Sequence, residues 1–346
     1  MTRWLTVAAV LVLAGGCSDA LEQNSSAGQF VVVVDSTPNT LTLISTTDFG
    51  AQVLDLRTPT GTPGTLAGRG SRLVVPLGQA DAAASVDLAV RTDTVSRVVP
   101  VAAGSGATGA AFSADSIAWL ANPGLNTVTR VVLTTGDTTS LAAGRFPQAL
   151  AVASGHLFIA NGNLVAGNPA GPSWLTAYDL ANTATADSIP LSCTNAKHIA
   201  VGDDGLLYVV CAGTAGQADG KLSIVDPATR KELVLLNGLG ESPGAAVYHP
   251  SGRLLVASAQ NGILEVNALT RSVTRGPGSG VKPGGDGVSG LAVDQAGRVY
   301  AVDRGDCSGA GSVRALSAPP DYSTLKTVTV GVCPVAAAVA VVPPRP

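Results

Sequence analysis

The sequence has little charge and few aromatic residues: charged residues make up 13%, aromatic residues 4%, and three histidines occur among 346 residues. With a net charge of −3, the chain offers no basic surface for phosphate groups, so we expect no nucleic-acid partner. The Cys-x-x-Cys-His motif of haem attachment is missing, which argues against an electron-transfer role. After residue 16, no apolar run is long enough to cross a membrane as a helix.

The chain begins with the layout of a secretory signal peptide, over residues 1–16. Arg3 supplies positive charge, residues 4–13 are apolar apart from Thr6, and residues 14–16 are small. About ten apolar residues are too few to span the ~30 Å hydrocarbon core of a bilayer. We therefore predict that the protein is exported.

Cys17 follows these small residues, and the segment LAGGC resembles a bacterial lipobox, although its leucine lies one position further from the cysteine than usual. The resemblance implies that Cys17 is diacylated and becomes the mature N-terminus. Ser18, in place of Asp, indicates the outer membrane, facing the periplasm or the cell surface. Residues 17–29 then form the lipidated cysteine and a polar tether. An ordinary cleaved signal peptide with an incidental cysteine is the alternative.

The rest of the chain repeats one all-β unit. With 41 glycines, 21 prolines and 46% hydrophobic residues, it favours many short strands joined by turns. Each unit has an apolar strand, a turn, a second apolar strand that ends in a small or polar residue, and two further strands. The centres of the second strands lie 39 to 50 residues apart, a period typical of four-stranded propeller blades. These centres are Val32, Val74, Trp119, Phe158, Tyr208, Leu255 and Tyr300.

The two ends of the chain predict how a ring would close. The first unit starts directly with a second-type strand at 30–35, whereas residues 334–342 form an unpaired first-type strand. Pairing the two removes the exposed edges of an open ring. We predict a single, monomeric, seven-bladed β-propeller over 30–346. Six blades are the alternative, if 58–101 is a degenerate unit.

Several units resemble known propeller families. PQALAVASGHLFIAN (147–161) and KLSIVDPATRKELVLL (221–236) resemble the YVTN repeats of surface-layer and periplasmic proteins. GLAVDQAGRVYAVDRGD (290–306) is similar to blades of NHL and gluconolactonase-like propellers. The gluconolactonase-like family binds a divalent cation through Glu, Asn and Asp at the channel mouth. This implies an oxygen-rich Ca²⁺ site with Asn195 and Asp286, although the first unit has no Glu to complete the set.

Propeller ligands commonly bind at the face where first strands begin and second strands end. The polar residues predicted there are Arg145, Gln148, Lys197, His198, Asp286, Asp303, Arg304 and Asp306. His198 begins a first strand, where some propeller lyases place a catalytic histidine. His156 and His249 fall in turns on the opposite face and are predicted to be ordinary surface residues. The alternative for all of these candidates is a solvated loop position.

Four further cysteines in an exported chain predict two disulfides. Cys193 precedes a first strand and Cys211 ends the strand beside it, so we predict that they pair within one blade. Cys307 follows the last second strand and Cys333 precedes the closing strand, which predicts a pair across the ring closure. A four-cysteine metal site would need closer, paired spacing.

These features favour a cell-envelope lipoprotein whose propeller binds a protein or a small molecule and needs no cofactor. The alternative is a divalent-metal-dependent enzyme of the gluconolactonase or lyase type. Fold alone does not decide between them, because propellers carry both kinds of function.

Overall fold

The computed structural model describes residues 28–58, 60–90, 94–284 and 287–343. The predicted signal peptide, Cys17, most of the tether and Asp286 lie outside these residues. The described chain is all β, and its strands form seven four-stranded antiparallel sheets. These are the seven blades of a β-propeller, so the predicted fold class is confirmed and the six-bladed alternative is wrong.

The first four blades contain the following strands. Blade 1 has β1 (Gly28–Asp35), β2 (Thr40–Ser45) and β3 (Ala51–Asp55). Blade 2 has β4 (Ala67–Arg69), β5 (Arg72–Pro76), β6 (Ala82–Asp87) and β7 (Arg97–Pro100). Blade 3 has β8 (Ala110–Ala114), β9 (Ile117–Asn122), β10 (Thr127–Val132) and β11 (Thr138–Ala142). Blade 4 has β12 (Pro147–Ala153), β13 (His156–Asn161), a small hairpin of β14 (Leu164–Val165) and β15 (Asn168–Pro169), then β16 (Trp174–Asp179) and β17 (Asn182–Pro190).

The remaining three blades follow the same order from the inner to the outer strand. Blade 5 has β18 (Ala196–Val201), β19 (Leu207–Cys211), β20 (Gly220–Asp226) and β21 (Lys231–Gly240). Blade 6 has β22 (Ala246–His249), β23 (Arg253–Ser258), β24 (Gly262–Asn267) and β25 (Ser272–Arg275). Blade 7 has β26 (Gly290–Val293), β27 (Val299–Asp303), β28 (Ala310–Leu316) and β29 (Thr324–Val332). The last strand, β30 (Pro334–Val342), is the inner strand of blade 1.

The ring closes as predicted, because β30 pairs antiparallel with β1 over most of its length, with Val32 opposite Ala338. The N-terminal and C-terminal ends of the described chain therefore share one sheet. The backbone amide of Ser36 also donates to the carbonyl oxygen of Cys333 at 3.1 Å. Pairing of the two ends gives blade 1 its fourth strand, so β1 is not left as an open edge.

Burial varies across each blade. The second and third strands are the most buried, as in β1, where Val31 to Val34 are fully buried. The outer strands are polar and exposed, as in β17. The inner strands are only half-buried, as in β30, because one side of each faces the central channel. Apolar side chains packed between neighbouring blades therefore supply most of the stabilising burial.

Both predicted disulfides are confirmed. Cys193 and Cys211 are bonded within blade 5, with Cα atoms 6.1 Å apart. Cys307 and Cys333 are bonded across the closure, with Cα atoms 4.4 Å apart. The sequence separations are 18 and 26 residues, and loops of that size stabilise a folded chain by about 3 kcal/mol each through the unfolded state. The second disulfide holds the start of β30 against blade 7.

None of the residues that the structure describes belongs to a helix that could cross a membrane.

Candidate functional site

The inner strands surround a central channel whose cavity measures about 460 Å³. All seven blades contribute to its wall, which is built mainly from small and aliphatic residues. The apolar wall includes Leu66, Ala110, Leu150, Ile199, Ala246, Leu291, Val335 and Ala336. Its polar side chains include Gln148, Lys197 and His198, three residues that the sequence predicted for this face. The channel is therefore a mainly apolar cavity, and its one charged side chain among the described residues, Lys197, lies next to Gln148 and His198 on blades 4 and 5.

β-bulges bring these polar side chains into the channel. In β12, Pro147 pairs with Asn161 and Ala149 with Ala160, so Gln148 is an extra residue without an opposite partner. In β18, Lys197 is the extra residue in the same way. A regular strand alternates its side chains between two faces, and a bulge interrupts that alternation. Lys197 and the adjacent His198 can therefore both line the channel.

The same bulge recurs at the ring closure, where Val335 is the extra residue of β30. In all three strands, the residue two positions before the extra residue has a left-handed backbone. These residues are Phe146 (φ 55°), Asn195 (φ 56°) and Cys333 (φ 56°). Asn tolerates this conformation readily, whereas Phe rarely adopts it. Sequence reasoning missed this recurring turn and bulge, because nothing in the local residue pattern specifies an extra residue in a strand.

Gln148 and Asn195 form a fixed polar bridge between blades 4 and 5. Gln148 Nε2 donates to Asn195 Oδ1 at 2.9 Å and to the carbonyl oxygen of Ala196 at 3.0 Å. Asn195 Nδ2 donates in turn to the carbonyl oxygen of Gly213 at 3.0 Å. The Gln148 side chain packs against Gly162, where a Cβ atom would collide with its amide nitrogen. This bridge holds the wall beside Lys197 in place.

Lys197 and His198 differ in charge, because Lys197 is a cation and His198 is neutral. Lys197 is exposed to the channel, yet the surrounding blades exclude enough water to lower the pKa of its ammonium, and no carboxylate among the described residues opposes that shift. Burial, with a smaller contribution from the charge of Lys197, lowers the pKa of His198 to about 3. His198 is therefore neutral at physiological pH, and Lys197 provides the single positive charge of the described channel wall.

Three further predicted residues lie outside the channel. Asp303, Arg304 and Asp306 line a separate cleft of about 380 Å³ beside blade 7. There Asp303 lies 3.8 Å from Arg314, and Asp306 accepts hydrogen bonds from the amide and hydroxyl of Ser308. These carboxylates already have local partners.

The predicted calcium site receives no support from the described residues. Asn195 uses both atoms of its amide group within the wall, as described above, and Asp286 lies outside the described part of the chain. Within the described ranges, no three His, Cys, Asp or Glu side chains come close enough together to hold a metal ion. The calcium site at Asn195 and Asp286 stays a prediction.

The two remaining histidines differ from each other. His156 is partly exposed near Arg230, whose Nη2 lies 3.0 Å from its Nε2, in agreement with a surface position. His249 is buried, with its Nε2 2.9 Å from the carbonyl oxygen of Gly297 and its Nδ1 2.7 Å from Ser251 Oγ. The expectation of an ordinary surface residue was wrong for His249, because its turn is covered by blade 7.

Buried polar residues at the ends of the second strands were not predicted as a group. Asp35, Asn122, Asn161 and Ser258 occupy this position and are fully buried. Asn122 Nδ2 donates to Thr129 Oγ1 on the next strand at 2.8 Å, and Asn161 Nδ2 donates to Thr176 Oγ1 at 2.9 Å. The polar ending of the repeat unit was visible in the sequence. Its burial was not.

The Gly-x-Ser-x-Gly sequence pattern of serine hydrolases occurs once, at Gly240-Glu241-Ser242-Pro243-Gly244. That pattern requires a strand, a sharp turn and a helix to expose its nucleophile. Here Ser242 lies in an exposed loop between two strands, β21 and β22. The match is therefore a feature of the loop that joins blades 5 and 6, and we assign it no nucleophilic role.

No family model and no curated protein sequence matches the chain. Several solved structures share its fold. Hydrazine synthase of Kuenenia stuttgartiensis has 16% identity and a TM-score of 0.67, with 81% of this chain and 90% of that chain covered. A streptogramin B lyase has 12% identity and a TM-score of 0.61, covering 79% and 94%. The virginiamycin B lyase of Staphylococcus aureus has 11% identity and a TM-score of 0.59, covering 80% and 86%.

Fold and neighbours together define the class of this protein as a seven-bladed β-propeller with structural neighbours of the virginiamycin B lyase type. At these identities the likeness concerns the fold alone, since one propeller architecture carries many unrelated functions.

Proposed function

We propose that this protein is an exported cell-envelope lipoprotein, anchored through Cys17, whose propeller is a non-enzymatic binding scaffold with its ligand site in the central channel. The observation that carries the binding proposal is Lys197, which has no acidic partner among the described residues and lines a mainly apolar cavity. A volume of about 460 Å³ lies within the range of small-molecule sites. Binding sites of this kind combine an apolar wall with a few fixed polar groups.

The polar groups of the channel suit binding better than acid–base chemistry. Gln148 and Asn195 already hydrogen-bond to each other. His198 is neutral, and no carboxylate among the described lining residues is placed to orient it or to exchange protons with it. What the wall supplies is shape, apolar surface and one positive charge. The loops around the channel mouth, including the β14–β15 hairpin, are where a protein partner would gain access.

The proposed anchor makes the first test. Cells that express the full-length protein are labelled with radioactive palmitate, and the membrane fraction is separated. We expect the wild-type protein to carry label and to sediment with membranes, because two or more acyl chains hold a protein durably. The Cys17→Ser variant should lose both properties. A wild-type protein that is secreted without label would show an ordinary cleaved signal peptide and overturn the anchor.

A metal-dependent lyase-type enzyme is the second candidate. Two of the similar structures are the virginiamycin B and streptogramin B lyases, and His198 lies in the channel. The test is metal analysis of the full-length protein in detergent, with a thermal melt before and after chelation. We expect no stoichiometric divalent ion and an unchanged melt. A bound Ca²⁺ whose removal lowers the melting temperature would reverse the order of the two candidates and make Asn195 and Asp286 the residues to mutate.

A further inference from the structure

We infer that the channel ligand is a small organic monoanion with a compact apolar body, and that Lys197 binds its anionic group. This inference rests on the proposed function, since it assigns a ligand class to the same cavity. The anionic group can be a carboxylate, a sulfonate or a phosphodiester, because each carries one negative charge and presents oxygen acceptors to an ammonium group.

The first argument is the missing counter-charge. Lys197 lines the channel, and none of the described residues forms an ion pair with it. Water is partly excluded around this ammonium, and a cation in such a place is destabilised unless an anion approaches it. Several arginines do have acidic neighbours, since Arg253 lies 2.5 Å from Glu265 and Arg314 lies 3.8 Å from Asp303. A ligand anion would therefore supply the counter-charge that none of the described residues places beside Lys197.

The second argument is the count of charges. His198 is adjacent to Lys197 and lines the same cavity, but with a pKa of about 3 it is neutral and offers one N–H donor and one acceptor nitrogen. The described channel wall then carries a single positive charge. One positive charge matches one negative charge, so a monoanion fits better than a doubly charged ligand.

The third argument is the rest of the wall. The apolar residues of the cavity wall include Leu150, Ile199, Leu291 and several alanines. Each square ångström of apolar surface buried there contributes roughly 25 cal/mol to binding before the costs of association are counted. A fully polar anion such as inorganic phosphate would leave this surface unused. An apolar body is therefore expected on the ligand.

The test uses three naphthalene probes of nearly equal shape and different charge: 2-naphthoate, 2-naphthamide and 2-naphthylmethylamine. Their fluorescence reports binding to the full-length protein in detergent. We expect naphthoate to bind wild-type protein at least ten-fold more tightly than naphthamide, with the amine weakest. Lys197→Met keeps the aliphatic stem and removes the charge, so it should abolish the preference. Lys231→Met, on the exposed outer strand β21, is the control and should preserve it.

Ala246→Trp places a large ring in the channel wall and should abolish binding of all three probes, which locates the site. Thermal melts show whether each variant is folded. Equal binding of acid and amide, or an unchanged preference in Lys197→Met, would overturn the inference while leaving a ligand-binding channel. If none of the probes binds the wild-type protein, the inference is also wrong, and the proposed function is judged separately by the acylation and metal tests.

Discussion

Replacing Asp35 with Asn is expected to stabilise the protein at pH 7 by about 2 kcal/mol, with about 3 kcal/mol as the upper limit. Asp35 ends β1 and is fully buried beside the ring closure. Its Oδ2 accepts hydrogen bonds from Thr42 Oγ1 at 2.6 Å and Thr40 Oγ1 at 3.2 Å, whereas its Oδ1 has no partner among the described residues. Burial raises the pKa of this carboxyl from 3.8 to about 6, so at pH 7 a charge is held in an apolar place.

The direction of the pH dependence follows from this raised pKa. Between pH 3.8 and about 6 the folded chain holds a proton on Asp35 that the unfolded chain has released. The contribution of Asp35 to the free energy of unfolding is therefore fully favourable below about pH 4 and is lost as the pH rises through 6. The stability difference between Asp35→Asn and wild type should grow over this interval and stay constant above it.

Blade 3 provides the structural precedent for this substitution. Asn122 occupies the same strand end, is equally buried, and donates to Thr127 Oγ1 at 3.1 Å and Thr129 Oγ1 at 2.8 Å. The two threonines follow at the same sequence offsets as those after Asp35. An amide at position 35 can therefore make the hydrogen bonds that this site already makes elsewhere in the ring, without a buried charge.

The measurement is urea unfolding of wild type and Asp35→Asn at several pH values between 4 and 8. The reciprocal variant Asn122→Asp is the matched control and should lose stability at neutral pH more than at pH 4. If Asp35→Asn is less stable than wild type at pH 7 and keeps the wild-type pH dependence, the buried carboxylate stabilises the closure and our account of it is wrong.

Replacing Glu265 with Ala is expected to destabilise the protein by about 3 kcal/mol. Glu265 lies in β24 and is buried, with Arg253 Nε 2.5 Å from its Oε1 and Tyr322 OH 2.9 Å from its Oε2. Arg275 Nε lies 3.4 Å from Oε2 as well. Tyr322 belongs to blade 7, so the carboxylate joins blades 6 and 7. Its removal leaves two cationic groups and a buried hydroxyl without their acceptor.

Two control variants separate the loss of the buried carboxylate from the loss of one hydrogen bond and from the loss of an exposed ion pair. Tyr322→Phe removes one hydrogen bond and should cost about 1 kcal/mol. Asp115→Ala removes the exposed ion pair with Arg69 and should change stability very little. Chemical unfolding of the three variants under one set of conditions gives the comparison. A loss in Glu265→Ala no greater than that in Asp115→Ala would show that water replaces the carboxylate without cost.

The sequence by itself determined the blades and their order. The alternation of apolar residues and the period of the units are local properties, so Phe158 and Tyr208 could be placed on second strands and residues 334–342 on the closing strand. The cysteine pairs followed from the same reasoning, because strand order decides which loops meet. Face assignment also nominated Gln148, Lys197 and His198, which line the channel in the structure.

Only the tertiary structure decided the conformation, the contacts and the charge of these residues. The bulges at Gln148 and Lys197 arise from pairing with the next strand, and the contact of Gln148 with Asn195 joins residues 47 positions apart. The neutral state of His198 and the raised pKa of Asp35 depend on burial by other blades. Charge and burial in a ring are set by neighbours that are distant in sequence, and a repeat pattern carries no information about them.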